Sequence, residues 1–218
     1  MKVLITGASQ GLGLATTELL LKAGHKVIGV SRHCPPHLLE HSQYTHYSCD
    51  FFQESEQALF ETFLRTQTVD FLVNNFAFFE RRFLENLDYE TFVQTMRMNC
   101  YLPLKTTQLL NARGLLQGVI NISSLGGITE KEKFPGFGGY AMSKAALTTL
   151  TQTLAVEYPA LRTLCIAPGA MKTQMLDKAL GEGYDGGIEP EKVAELMLFF
   201  MSEQGHALDG QVVVINSN

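Results

Sequence analysis

The sequence lacks any excess of positive charge, and its formal net charge is −5 at pH 7. Proteins that bind nucleic acid or anionic lipid electrostatically carry clustered basic residues, so we expect neither kind of partner. The sequence also lacks an apolar run long enough to span a bilayer, and its first apolar stretch, residues 1–5, is too short for a signal peptide. We therefore expect a cytoplasmic protein with no membrane partner.

Cysteine is scarce, and no C-x-x-C pair is present. The four cysteines are widely spaced along the chain, so we expect them to be reduced and mostly packed in the interior. They are Cys34, Cys49, Cys100 and Cys165. One dense group of ligand-type side chains contains His33, Cys34, His37, His41, His46 and Cys49. Its spacings match no standard zinc pattern. We predict no metal site and interpret these histidines as loop residues.

The chain shows no internal repeat and no linker, and 45% of its residues are hydrophobic. Its 218 residues fit one domain, so we predict a single domain over residues 1–218. Short apolar runs lie at 3–5, 27–30, 44–49, 71–73, 119–122, 164–166 and 212–215. Such runs indicate strands buried on both faces, as in a parallel sheet.

Helical patterns separate these runs, and the longest are predicted at about 89–110, 140–158 and 190–201. The first helix is expected to end at Gly24, which suits the position after a helix terminus. Alternating strands and helices predict an α/β fold: a single doubly wound parallel β-sheet with helices on both faces. Ligands of such folds bind beyond the carboxyl ends of the strands.

A glycine-rich loop follows the first run, in the spacing G-x-x-x-G-x-G. Glycines at this point let the backbone turn tightly and approach a pyrophosphate, and the next helix offers free N–H groups to it. On its own, such a loop is also compatible with a purely structural turn. Its place between the first strand and first helix favours cofactor binding, with candidate residues Gly7, Ser9, Gln10, Gly11, Leu12 and Gly13.

Ser31 and Arg32 follow the second run, where a site for NAD usually carries an acidic residue. A hydroxyl and a guanidinium suit a 2′-phosphate, so the sequence favours NADP(H); the alternative is that Arg32 is a solvated loop charge. Asp50, after the third run, is a candidate to accept a hydrogen bond from the adenine amino group. It is equally suited to cap the helix that follows.

Tyr140 and Lys144 lie four residues apart on a predicted helix and therefore share one face. A cation beside a phenol favours the phenolate, which would bring Tyr140 toward acid/base chemistry at neutral pH. The bare pair also arises as an ordinary surface contact. Ser124, just beyond the fifth run, adds a hydroxyl that could hold a substrate oxygen, and the three together are far more specific.

With these residues in place, the chain resembles the short-chain dehydrogenase/reductase family over its whole length. The matching pieces are T-G-A-S-Q-G-L-G at 6–13, Cys49-Asp50, Asn74-Asn75, Asn99, Ile122-Ser123-Ser124, Tyr140 with Lys144, and Pro168-Gly169 followed by Thr173. The resemblance implies a Rossmann-type fold and an NADP-dependent oxidoreductase acting on a small carbonyl or alcohol. It also implies a homodimer or homotetramer, packed through the helices at 89–110 and 140–158; the alternative is that these helices pack only in the core of a monomer.

The resemblance implies a role for each matching residue. Tyr140 would donate a proton to the carbonyl oxygen, and Lys144 would lower the pKa of that phenol and hold the nicotinamide ribose. Ser124, rather than Ser123, would orient the reacting oxygen. Asn99 would hold a water that links Lys144 to solvent. Pro168, Gly169 and Thr173 would position the nicotinamide, and Asn74 would brace the sheet near the adenosine half.

One departure concerns Phe76-Ala77, where the family pattern has alanine and glycine. A bulky ring there would crowd the ribose side of the cofactor and keeps open a second hypothesis, an NADP(H)-binding sensor without turnover. A third reading, an epimerase or dehydratase using the same tyrosine and lysine, fits the length and glycine spacing less well.

A substrate pocket is predicted from apolar side chains near the candidate site: Phe78, Phe79, Phe134, Phe137, Met171, Met175, Leu176 and Tyr184. If they converge, they make an apolar pocket with adaptable methionine walls, whereas the alternative is that many simply pack under loops. The glycine-rich segment 171–187 is expected to form a mobile lid. The connection between Ser124 and Tyr140 is longer than usual and is expected to bulge at the site entrance.

Overall fold

The computed structural model describes residues 1–180 and 186–216 of the chain. In these residues, the strands are β1 (Lys2–Thr6), β2 (Lys26–Ser31), β3 (Tyr44–Ser48), β4 (Phe71–Asn74), β5 (Gly118–Ile122), β6 (Arg162–Pro168) and β7 (Gln211–Ile215). The α-helices are α1 (Gly11–Lys22), α2 (Glu54–Thr66), α3 (Tyr89–Met96), α4 (Leu102–Asn111), α5 (Gly138–Glu157), α6 (Gln174–Leu180) and α7 (Pro190–Met201).

The strands form one sheet in the order β3-β2-β1-β4-β5-β6-β7, and every neighbouring pair is parallel. The order reverses between β1 and β4, which creates a crevice at the carboxyl ends of the two strands. The predicted doubly wound parallel sheet is therefore confirmed.

Helices cover both faces of the sheet because successive side chains of each central strand point to opposite sides. On β1, Val3 and Ile5 join a core cluster that includes α1 and α7, whereas Leu4 joins a second cluster that includes α2 and α4. These three side chains are completely buried. Full burial of one such side chain contributes about 1.5–3 kcal/mol, so the central strands anchor the crevice firmly.

The first helix ends as predicted, at a glycine in the left-handed region. Gly24 has φ +79° and donates to Leu21 O at 2.9 Å, while His25 donates to Leu20 O at 3.0 Å. This pair of bonds is the Schellman motif, which satisfies the last free carbonyls of the helix.

Two expectations about the helices need correction, the single helix at 89–110 and the capping role of Asp50, while the lid stays a prediction. The helix predicted at 89–110 consists of α3 and α4 joined by a π-helical turn, Arg97–Tyr101. The predicted lid contains the helix α6, and its glycines 181 and 183 lie outside the described residues. Asp50 does not cap α2: the helix begins after Gln53, and the Asp50 carboxylate accepts from Phe52 N at 3.0 Å instead.

In the described part of the chain, no helix combines the length and apolar character needed to cross a membrane.

Candidate active site

A cleft of about 1600 Å³ opens at the carboxyl ends of the strands. Fourteen residues predicted for the site line it: Gly7, Ser9, Gln10, Gly11, Leu12, Ser31, Arg32, Asp50, Ser124, Tyr140, Lys144, Pro168, Gly169 and Thr173. They come from the segments that follow β1, β2, β3, β5 and β6 and from α5. The topology therefore brings together groups that are far apart in the sequence.

Three predicted residues do not line the cleft: Gly13, Asn74 and Asn99. A Cβ on Gly13 would lie 2.1 Å from Gly7 O, so glycine is needed there for close packing of α1 against the loop. The other two take part in buried hydrogen-bond networks. Their positions support the cleft from beneath.

The glycine loop is held in shape by Asn75, a residue that the sequence analysis gave no role. Its side-chain amide donates to the carbonyl oxygens of Thr6 and Gly7, each at 3.0 Å. Gly7 itself has φ +72°, a conformation that favours glycine. The adjacent pair Asn74-Asn75 was the available signal, but the sequence alone does not indicate which amide faces the loop.

The amino end of α1 faces the cleft through Gly11 and Leu12. Among the described residues, none accepts a hydrogen bond from the backbone amides of these two, and the side chain of Gln10, which precedes the helix, does not cap it. Free N–H groups and the helix dipole at one point fit a phosphate group. This donor set therefore suits the pyrophosphate of a dinucleotide.

At the end of β2, the Ser31 hydroxyl points inward rather than toward a ligand. It donates to His33 O at 2.8 Å and lies 3.3 Å from His46 Nε2. Arg32 is exposed, and its guanidinium has no hydrogen-bond or ion-pair partner among the described residues. The positive charge at this end of the cleft therefore comes from Arg32, while Ser31 fixes the turn that carries it.

The cleft near Asp50 is aromatic. Phe76 packs against Phe51 with ring centroids 4.8 Å apart and against Phe52 at 6.3 Å, and all three rings line the cleft. The Phe76 amide donates to Thr6 Oγ1 at 3.1 Å. The bulky residue at position 76 is thus packed into an aromatic cluster beside Asp50.

Ser124, Tyr140 and Lys144 meet at the other end of the cleft. Tyr140 and Lys144 lie one turn apart on α5, and the Lys144 Nζ is 5.5 Å from the centroid of the Tyr140 ring. Lys144 is only 1% exposed and donates to Ile122 O at 2.7 Å. Ser124 lies two residues beyond the end of β5, and its hydroxyl is close enough to the Tyr140 phenol to affect its pKa.

Burial dominates the titration of both α5 residues. It raises the pKa of the Tyr140 phenol, and the neighbouring Ser124 hydroxyl opposes this only in part. Burial also lowers the pKa of Lys144 to about 8, against the weaker effects of Cys165 and Cys100. The expected lowering of the Tyr140 pKa is therefore not seen, because loss of solvent outweighs the opposing effect of the Ser124 hydroxyl.

Asn99 lies in the π-helical turn and joins three parts of the structure. Its side chain accepts from Phe78 N at 2.7 Å and donates to Phe78 O at 2.8 Å and to Ser143 Oγ at 2.9 Å. The one-residue widening of a π turn places this amide between the segment after β4 and helix α5. Asn99 therefore fixes the residue next to Lys144 on α5.

Asn74 belongs to a separate buried network. Its amide donates to Asn121 Oδ1 at 2.8 Å, and the Asn121 amide donates to Thr151 Oγ1 at 2.9 Å. Asn74 is the last residue of β4 and Asn121 lies opposite it on β5. The network ties the two strands to α5 beneath the cleft, in keeping with a bracing role.

The segment after β6 closes the cleft opposite the glycine loop. Gly169 donates to Ile215 O at 2.8 Å, and Thr173 Oγ1 donates to Met171 O at 3.3 Å. A Cβ on Gly11 would lie 3.0 Å from Thr173 Cγ2. The two walls therefore almost touch at this point.

The predicted apolar pocket forms in part. Seven of its eight residues line the cleft: Phe78, Phe79, Phe134, Phe137, Met171, Met175 and Leu176. The eighth, Tyr184, lies outside the described residues. The connection 125–137 also borders the cleft, through residues that include Thr129 and Lys133.

The histidine- and cysteine-rich segment does not gather into a metal-binding group. Within 1–180 and 186–216, no three His, Cys, Asp or Glu side chains are placed to hold one ion. His37 pairs instead with Glu18 at 2.7 Å, and His46 Nε2 lies 3.0 Å from Ser31 O.

Comparison with known proteins agrees with this geometry. A sequence model of the family described as short chain dehydrogenase matches residues 1–182. The chain is also similar to the 3-oxoacyl-[acyl-carrier-protein] reductase FabG of Thermotoga maritima, with 26% identity over 98% of this chain and 95% of that protein.

Two solved structures share the fold. One is 4-hydroxyisoleucine dehydrogenase complexed with NADH, with a TM-score of 0.88, 19% identity, and coverage of 100% of this chain and 97% of that one. The other is ElxO with NADP bound, with a TM-score of 0.83, 24% identity, and coverage of 99% and 96%. Nicotinamide cofactors of both kinds thus occur among proteins of this shape.

Proposed function

The chain belongs to the short-chain dehydrogenase family of oxidoreductases, and from this premise we propose that it is an NADPH-dependent carbonyl reductase. In the reverse direction it would oxidise the corresponding alcohol with NADP⁺. The substrate is a small, apolar carbonyl compound, and residues 1–218 form one catalytic domain.

The meeting of Ser124, Tyr140 and Lys144 at one end of the cleft carries this proposal. A phenol, a hydroxyl beside it and a buried ammonium group are the groups that proton transfer to a carbonyl oxygen requires. A purely structural cluster would not place all three along an open cleft that also holds an anion-binding loop.

Arg32 is the residue that favours NADP(H) over NAD(H). Its exposed guanidinium stands at the end of β2, where it is free to pair with a 2′-phosphate, and no acidic side chain follows it there. When bound, the cofactor supplies or accepts the hydride. The glycine loop and the free amides of α1 would hold its pyrophosphate, and Asp50 would accept from the adenine.

Each residue of the catalytic end then has a distinct task. Tyr140, whose raised pKa keeps the phenol protonated at neutral pH, donates its proton to the carbonyl oxygen during reduction. Ser124 holds that oxygen by a hydrogen bond. Lys144 binds the ribose hydroxyls and stabilises the phenolate that forms on Tyr140.

Four further residues support the reaction by position. Pro168, Gly169 and Thr173 hold the nicotinamide end of the cofactor. Asn99 keeps α5 in register through Ser143 and borders the route by which the Lys144 proton is resupplied.

We also propose that the protein assembles as a homodimer or homotetramer. The support is a set of exposed apolar side chains on α3, the π-helical turn and α5: Tyr89, Val93, Tyr101, Met142 and Val156. Its four cysteines are free thiols, which fits a reducing compartment such as the cytoplasm.

The test is to follow NADPH absorbance with a panel of aldehydes and ketones, with Tyr140→Phe beside the unmodified protein. Turnover that disappears in the variant supports the reductase. Binding of NADPH without turnover of any carbonyl favours the alternative of a sensor, for which the packed Phe76 is the supporting feature. Turnover that survives Tyr140→Phe would show that another group donates the proton.

A further inference from the structure

Four aromatic rings that line the cleft form a continuous row of contacts. Phe79 meets the Tyr140 ring edge-on, with centroids 5.3 Å apart and planes at 88°. Phe79 also contacts Phe137 at 4.7 Å, and Phe137 contacts Phe134 at 5.9 Å. All four residues line the cleft, so this aromatic row is one wall of the space beside Tyr140.

The aromatic row comes from two segments that are bound to one another. Arg82 N donates to Gly136 O at 2.9 Å, and the aliphatic stem of Arg81 covers Gly136 so closely that a Cβ there would lie 2.8 Å from Arg81 Cγ. Leu84 lies against Gly138, at the start of α5, in the same way. The rings are therefore held in place before a substrate arrives, which lowers the cost of binding one.

This half of the cleft offers little to a charged substrate. Apart from Lys144, the charged residues described as lining it are Glu85 and Lys133. The Lys133 ammonium is turned back to the carbonyl oxygens of Ile128 and Lys131, and Glu85 accepts from the Asn86 amide at 3.5 Å. The cleft is also lined by Met171, Met175 and Leu176, which are apolar, and the methionine side chains are adaptable.

We infer that the substrate of the proposed reductase carries its carbonyl on an aromatic ring, as an aryl ketone or aryl aldehyde. This inference rests on the proposed function and specifies its substrate class. Aromatic pairs gain energy from offset or edge-to-face contacts beyond the area they bury, and a saturated ring of the same size gains only from the area. A fixed row of rings in a cleft that also contains flexible methionine side chains suits a flat aromatic ring packed against the row.

The experiment compares kcat/KM for an aryl methyl ketone and its cyclohexyl analogue, with NADPH and the full chain. The ratio of the two values is measured in the unmodified protein and in Phe79→Leu, so that the different reactivities of the two carbonyls cancel. We expect Phe79→Leu to reduce the ratio by roughly twofold to tenfold.

A second pair of variants tests whether a change in the ratio could come from a folding defect and not from loss of the ring contact. Phe134 in the aromatic row and Phe199 on α7 are both 47% exposed, and Phe199 does not line the cleft. Phe134→Leu is expected to reduce the ratio, while Phe199→Leu leaves it unchanged.

An unchanged ratio in both Phe79→Leu and Phe134→Leu overturns the inference and leaves the reductase standing. The inference is also overturned if the protein reduces other carbonyl compounds but not the aryl ketone. If NADPH binds and no carbonyl is reduced at all, the proposed function itself has failed, and the substrate class fails with it.

Discussion

The Lys144 Nζ lies 5.5 Å from the centre of the Tyr140 ring and is itself hydrogen-bonded to Ile122 O at 2.7 Å. The ammonium is thus tied to the end of β5, directly before the serines that enter the cleft. It is almost completely buried, and the charge has no carboxylate partner among the described residues. Such a position costs stability and suggests that the charge is kept for function.

Lys144→Met is expected to stabilise the fold at pH 7. The pKa of Lys144 falls from 10.5 to about 8, and at about 1.4 kcal/mol per unit this corresponds to about 3 kcal/mol of cost for the charged form. The orphaned Ile122 carbonyl offsets about 1 kcal/mol of that gain. Urea unfolding should therefore show a net gain of about 2 kcal/mol, together with loss of turnover.

The sign of the pH dependence makes this prediction specific. Between pH 8 and 10.5, the unfolded chain binds a proton at Lys144 that the folded chain does not, so the stability of the unmodified protein rises with pH. The advantage of Lys144→Met should shrink across that window. An advantage that is the same at neutral and at high pH would contradict the lowered pKa.

The same lowered pKa predicts how reduction depends on pH. As the pH rises through about 8, Lys144 loses its charge, whereas Tyr140 keeps its proton because burial raises its pKa. We expect kcat/KM for NADPH to fall above about pH 8, since this parameter reports the free enzyme. Initial rates between about pH 6 and pH 10 provide the measurement. A profile without this fall would show that the charge of Lys144 is not needed for the reaction.

The sheet was predictable because most of its strands are short apolar runs, and the position of the cleft followed because ligands of such folds bind where the strands end. The π-helical turn at Asn99 was not, since a one-residue widening leaves no mark in the hydrophobic period. The inward orientation of the Ser31 hydroxyl could not be predicted for a related reason. Its partner, His33 O, is a backbone group, which no pattern of side chains reveals.

Helix α6 was not predicted from the sequence. Its segment lies between Thr173 and a run of glycines, and glycine content alone favoured a mobile lid. The helix forms over Gln174–Leu180, before the first of those glycines. The role of Asn75 could not be predicted either. The direction in which a side chain points at the end of β4 depends on the register of β4 with β1.

Replacement of Arg32 tests the cofactor preference. Hydrogen bonds to charged groups contribute about 1.5–3 kcal/mol, so Arg32→Ala should raise the KM for NADPH by about tenfold or more and leave that for NADH unchanged. Arg65→Ala is the matched control, since Arg65 is also exposed and lies on α2, away from the cleft. Equal losses with both cofactors would mean that Arg32 does not read the 2′-phosphate.

Asn75→Ala tests whether the glycine loop must be held in shape before the cofactor binds. The substitution removes two hydrogen bonds of 3.0 Å, to Thr6 O and Gly7 O, and should lower the free energy of unfolding by about 1–3 kcal/mol. We also expect the Kd for NADPH, measured by titration of the fluorescence of NADPH itself, to rise by about tenfold, because the loop amides are no longer fixed. Asn111→Ala, at the end of α4, removes an amide outside the cleft and controls for the loss of an asparagine. If Asn75→Ala lowers stability as expected but binds NADPH as tightly as the unmodified protein, the loop is shaped by its glycines alone, and Asn75 serves only to join β4 to β1.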